Sequence, residues 1–315
     1  MTVWLVRRLA AAIAIVFAVV TITFVLIHLA PGTPFGADEQ RQLDPEVIAQ
    51  LRRQFGLDQP LPVQYWNWVS ALAHGDAGFS IRTGRPVLVE IAERLPATLE
   101  LAAAATLIAI AVGIPLGLLS ALRPRSAIDV TARIGGLLGL SLPSFWLGTL
   151  IIVLFSLYLR WLPNTGGYVD FVRDPLGNLG LIMFPALTLG AGLAAATMRM
   201  TRSAMLDVLV MDYVRTAAAK GLARSVIVRR HVLKNGLIVV VTLLGVQIGQ
   251  LLGGAVVVEE IFSIPGVGRM LLTAIVQRDY ALVQGGVLAI AILFVLVNIV
   301  VDLLYGYLDP RIRPA

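Results

Sequence analysis

Six stretches of the chain carry no Asp, Glu, Lys or Arg: 9–37, 101–122, 134–159, 175–198, 235–258 and 280–301. An α-helix rises about 1.5 Å per residue, so roughly 20 apolar residues cross the ~30 Å of bilayer hydrocarbon. Each stretch meets that length. Lipid offers the backbone no hydrogen-bond partner, and runs this long and continuous lack the alternation of barrel strands, so the pattern predicts helices. The expected fold class is all-α: a polytopic membrane protein with six transmembrane helices, at 9–30, 97–122, 131–160, 178–199, 235–258 and 281–304.

Polar positions between the spans are unevenly distributed. The one long polar segment is 31–96, in which DPEVIAQLRRQFG places Val47, Leu51 and Phe55 four residues apart and predicts an amphipathic helix ending at Gly56. Tyr65, Trp66 and Trp68 follow. They suit anchoring at the membrane interface or contact with a soluble protein. Pro115 and Pro143 are expected to kink their helices, since proline lacks a donor and clashes with the preceding turn. Gly113 with Gly117, and Gly135 with Gly139, suggest close helix contacts.

The fifth span is the most informative. Gly245, Gly249 and Gly253 recur every fourth residue and form one smooth stripe suited to helix packing. Gln247 and Gln250 project from another face, and an amide in lipid either bonds a neighbouring helix or lines a permeation path. Asn298 and Asp302 share a face near the end of the sixth span.

Composition agrees with this picture: 58% hydrophobic, 14% charged, mean hydropathy +0.85. The net charge of +6 and pI near 10 would suit a nucleic-acid binder, but the cations sort to one side of the spans. Arg7 and Arg8, then Arg123, Arg125 and Arg133, then eight Lys and Arg between 199 and 234, then Arg311 and Arg313 mark cytoplasmic flanks. The expectation is therefore no nucleic-acid partner and two inner termini, 1–8 and 305–315, with an inner loop at 200–234. The loops at 31–96, 161–177 and 259–280 then lie outside. The first apolar run is too long for a signal peptide and lacks a clean cleavage site, so it reads as a retained helix. With no cysteine and three unpaired histidines, the chain offers no catalytic or metal-ligating set, and none is expected.

Five segments in order carry a family resemblance: FGLDQPLPVQYWNWV with GDAGFS, ERLPATLELA, YVRTAAAKG, VVVEEIFSIPGVGRMLLTAIVQRDY and YLDPRIR. The whole chain resembles the first of the two paired permeases of bacterial dipeptide and oligopeptide ABC importers. That resemblance implies the type I ABC importer permease fold, a location in the cytoplasmic membrane, and a path for di- or oligopeptides. It also implies a homologous second permease, two ABC ATPase domains and an extracytoplasmic solute-binding protein as partners. Nickel complexes, glutathione and haem stay open as other solutes.

The family's inner-loop signature is Glu-Ala-Ala, three residues, Gly, nine residues, then Ile-x-Leu-Pro. Here Arg215, Thr216 and Ala217 take the first three places, Gly221 the glycine, and His231, Leu233 and Lys234 the later ones, so Glu, Ile and Pro are replaced. The resemblance makes Arg215, Thr216, Ala217, Ala218, Ala219, Lys220 and Gly221 the ATPase-coupling segment, with Arg215 or Lys220 as the polar contact. Local propensity agrees that this run is helical up to Gly221, with Ser225 capping the next helix. No G-x-x-x-x-G-K-[ST] loop occurs, so ATP and Mg are expected on partner subunits and no cofactor on this chain. By resemblance 259–280 dips back as a re-entrant scoop, where Glu259 and Glu260 meet the substrate's amino terminus or form a solvated loop. An ion-driven carrier would show a buried charge relay, and the span centres are nearly charge-free.

Overall fold

The computed structural model describes residues 2–30, 34, 44–161 and 168–308. Its helices are α1 (Thr2–Leu29), α2 (Pro45–Gln54), α3 (Leu61–Ala73), α4 (Val87–Ile108), α5 (Ile114–Leu122), α6 (Ala127–Ser141), α7 (Ser144–Ile152), α8 (Pro175–Leu209), α9 (Asp212–Ala219), α10 (Arg224–Ile227), α11 (Lys234–Ile261), α12 (Val267–Gln277) and α13 (Tyr280–Leu308). Short π-helical stretches at Ala109–Gly113, Val153–Tyr158 and Val228–Leu233 adjoin α5, α7 and α11. Among the described residues β pairing is limited to Phe79 with Pro86. Among the described residues five helices are long and apolar enough to cross a membrane, and α6 with the α7 segment, bent by 99°, makes a sixth when the pair is counted as one span.

Most spans outrun their apolar windows. α4 begins at Val87 rather than 97, and α8 runs to Leu209 rather than 199. The α10–α11 helix begins at Arg224 rather than 235. A charge-free window marks only the hydrocarbon-embedded part of a helix. The two prolines act differently. Pro115 does not break its helix: the preceding turn widens into the π stretch Ala109–Gly113, which makes room for the ring, and Val87–Leu122 continues as one span. Pro143 does break its span, because the residue before a proline avoids helical geometry and Leu142 is extended at φ −84°, ψ 122°.

The chain divides into two compact units. In the first, Ala97–Ile264 with the chain from Phe294, α8 is the central post. Its neighbours approach through glycines. A β-carbon on Gly113 would lie 2.8 Å from the Ala194 carbonyl oxygen and from Thr197, one on Gly117 2.6 Å from the Met198 carbonyl oxygen, and one on Gly139 2.9 Å from Ala195. Gly190 of α8 meets the Ala105 carbonyl in the same way, at 2.9 Å. The expected 135/139 pair is shifted: Gly135 has open space, and Gly136 packs on the Met198 methyl. One apolar core joins Leu101, Ile182, Ala186, Ala255, Val258 and Phe262.

The second unit holds Thr2–Pro96 and Pro265–Leu293. Val87 and Ile91 pack with Val267, Met270, Ala274, Leu282 and Val283. Asp44 caps α2 by accepting from the Glu46 N–H, and Gly56 follows with φ +64°. The face of α2 differs from the expected one: Ile48 is buried, while Val47 is exposed. The aromatics of α3 also divide. Tyr65 shares a hydrogen bond of 2.7 Å with Thr21, and Trp68 stacks on Phe24 at 6.0 Å, so both brace α1, whereas Trp66 is 70% exposed.

Candidate functional site

The basic segment after α8 folds as a short helix and a sharp bend. Alanines favour the helix, and α9 ends in a Schellman motif: Gly221, at φ +77°, donates its N–H to the Ala218 carbonyl and Leu222 donates to that of Ala217. Only glycine adopts this conformation freely. Val214 and Ala217 face inward, packed with Ala121, Met205, Ile227 and Val232. Arg215, Thr216, Ala218, Ala219, Lys220 and Gly221 are exposed. Ala217 therefore anchors α9 to its own chain and is not on the presented face. Arg215 lies 3.8 Å from Asp212, an open pair on a solvated surface. Ser225 does not cap the next helix, which starts at Arg224 with Ala223 at the cap, two positions before the expected one.

α11 separates the residues grouped on it by sequence. Gly245 abuts Val301 and Gly249 abuts Phe294, both on α13, while Gly253 is exposed with open space where a side chain would go. Gln247 is half-buried with an Oε1 that has no hydrogen-bond partner, and Gln250 is exposed. Glu259 and Glu260 belong to the last turn of α11 and not to a loop. Glu259 is fully buried and accepts a 2.7 Å hydrogen bond from Thr98, so it does not line an open mouth in this conformation; Glu260 is exposed. The segment 259–280, expected as a re-entrant loop, is largely helical, occupied by the end of α11 and by α12.

Sequence reasoning missed four polar clusters. In the first unit Asp129, 1% exposed, accepts from Ser120 at 2.5 Å and from Arg202 Nε at 2.8 Å. Arg202 had read as one more topology-setting cation; it is instead locked to a carboxylate 73 positions away. Glu100 gathers Tyr168 and Asn178 at 2.8 and 2.9 Å, and burial, then this carboxylate, push the Tyr168 phenol above its ordinary pKa. In the second unit Asp279 caps α13 and accepts from Ser80 at 2.5 Å, which joins the GDAGFS and VQRDY segments of the sequence. Nearby, buried Glu90 accepts from Thr83 and pairs with Arg94 at 3.0 Å. Polar residues inside or beside apolar runs were the available signal; Arg94 and Ser120 lie close to their carboxylates in sequence, but Arg202, Tyr168 and Ser80 are 73, 68 and 199 positions from theirs and leave no spacing to read.

Comparison with known proteins agrees with this architecture. Residues 113–314 match the model of the binding-protein-dependent transport system inner membrane component, and residues 1–102 match the N-terminal model of the same systems. The chain is 42% identical to a dipeptide transport system permease protein, DppB, of Alkalihalophilus pseudofirmus, over 98% of both chains. It is 41% identical to the Escherichia coli K12 protein of that name, again over 98% of both. A putative peptide transport system permease protein of Brucella abortus is 42% identical over 99% of both. With a family model spanning most of its length and an all-helical, multi-span fold, the chain belongs to the inner membrane permease components of binding-protein-dependent transport systems.

Proposed function

We propose that this permease forms, with a homologous second permease, the path by which di- or oligopeptides cross the cytoplasmic membrane, delivered by an extracytoplasmic binding protein and driven by two partner ATPase domains. The observation that carries the reading is α9: a helix anchored by Val214 and Ala217, with its other face free, ended by a glycine-only bend. Such a helix moves as a lever. A push on Arg215, Ala218 or Lys220 is passed through the shared core to Ala121, Met205 and Val232, and so to three spans at once. The peptide substrate is supported by the full-length relatives, which are dipeptide and peptide permeases.

ATP and Mg belong to the partner subunits in this account, and both termini with α9 lie on the cytoplasmic side. Gln247 and Gln250 remain the path candidates on α11. The exposed Gly253 is available to another subunit, and Glu260 stays a path candidate. Reconstitution tests the reading: proteoliposomes holding both permeases and the ATPases should accumulate labelled dipeptide only with binding protein outside and ATP on the ATPase side. Uptake without ATPases, or of a nickel complex, glutathione or haem in place of peptide, would overturn it.

A further inference from the structure

A cavity of about 450 Å³ opens between α6 and α8 in the first unit, and its lining changes character from one end to the other. Arg133 and Arg202 stand at one end; Leu137 and Leu140, one and two turns further along α6, lead away from it, with Met198 on the facing helix. Arg199 lines it too, exposed and without an ion-pair partner among the described residues. Two guanidiniums, Arg133 and Arg202, pair with one carboxylate, Asp129, and Arg199 adds a third cation to the lining, which leaves a surplus of two positive charges. Arg202 is held rigidly by that carboxylate at 2.8 Å, whereas Arg133 touches it only at 3.6 Å with its side chain 55% exposed. Arg133 and Arg199 are thus the cations with capacity to spare.

We infer that this cavity binds an anionic phospholipid. The polarity gradient matches such a molecule and its orientation: phosphate at the cationic end, acyl chain along Leu137 and Leu140. Those two leucines are 65% and 45% exposed on a membrane helix, so the apolar end is open to hydrocarbon. Basic pockets between spans on the cytoplasmic side suit anionic headgroups, each guanidinium near the surface strengthening binding about fivefold. Gly136 leaves its side-chain space to the Met198 methyl, which would have to move if a β-carbon were there. A free phosphate would use the cations but leave the apolar half of the cavity unused.

The test uses the full-length chain in phosphatidylcholine nanodiscs, titrated with phosphatidylglycerol, with phosphatidylcholine or with inorganic phosphate, and read by thermal unfolding and native mass spectrometry. Phosphatidylglycerol should raise the melting temperature and remain bound as a discrete adduct, and the other two should not. Arg133→Gln with Arg199→Gln should weaken the phosphatidylglycerol effect roughly 25-fold, with the melting temperature in phosphatidylcholine alone unchanged because Asp129 keeps Arg202. Leu137→Gln, which leaves every cation, should weaken it too. Arg229→Gln, an exposed cation elsewhere, should not. Equal stabilisation by phosphate, an unchanged response in the double variant, or a double variant that loses association with the second permease while keeping the lipid adduct would overturn the assignment.

Discussion

A glycine matters in this chain where a neighbour's backbone stands in the way of a β-carbon. At Gly117 the obstacle is the Met198 carbonyl oxygen, 2.6 Å away, and backbone cannot give as a flexible side chain can. Gly117→Ala should therefore cost about 1–3 kcal/mol. At Gly253 nothing lies within 4 Å, so Gly253→Ala should be neutral or stabilise α11 by up to about 1 kcal/mol. Thermal unfolding of the two variants in nanodiscs checks the contrast, and equal shifts would contradict it. Thr98→Val removes one donor from buried Glu259 and should destabilise by about 1–3 kcal/mol by the same measurement. Residue-level reading from sequence succeeded only where neighbours along a helix decide the outcome. The spacing of Gly113 and Gly117 was visible; that Gly136 packs and Gly135 does not depends on where Met198 comes from. Asp129, Glu100 and Asp279 could not be matched to partners, because nothing local encodes Arg202, Tyr168 or Ser80.

Elements were more legible than residues, with one systematic error. Lack of charge locates the buried middle of a span and underestimates its ends, where helices such as α8 continue past the hydrocarbon with Arg199, Arg202 and Asp207 on them. The third span is the informative case. Pro143 was expected to kink it and instead divides α6 from α7 at 99°. Because the chain has no cysteine, spin labels at Thr131→Cys and Ser156→Cys report on this alone. A straight helix would separate them by about 38 Å. The bent pair gives about 24 Å from the 99° angle and the helical rise. Pro143→Ala should shift the distance population toward the longer value, and an unbent distance in the unsubstituted chain would refute the break.

For the whole molecule, the length and continuity of the charge-free runs were enough to predict an all-α, multi-span protein, and its membership of the binding-protein-dependent permeases agrees. The long polar segment 31–96 was the least legible. Its aromatics read as membrane-interface anchors or as contacts for a soluble protein, yet Tyr65 and Trp68 pack on α1, because amphipathic rings satisfy an interface or a tertiary contact equally well. The coupling account depends on the inner bend, which was legible because a Schellman glycine leaves a strong local signature. In it, α9 is rigid, anchored at Val214 and Ala217, and released from the next helix at Gly221. Proline at that position has φ fixed near −65° and no N–H, so it can reproduce neither the +77° backbone nor the bond to Ala218. The direct measurement is the ratio of peptide imported to ATP hydrolysed in proteoliposomes containing the assembled transporter. For Gly221→Pro the account predicts normal membrane insertion, ATP hydrolysis that persists, and a ratio at least tenfold below that of the unsubstituted protein; an unchanged ratio would contradict it.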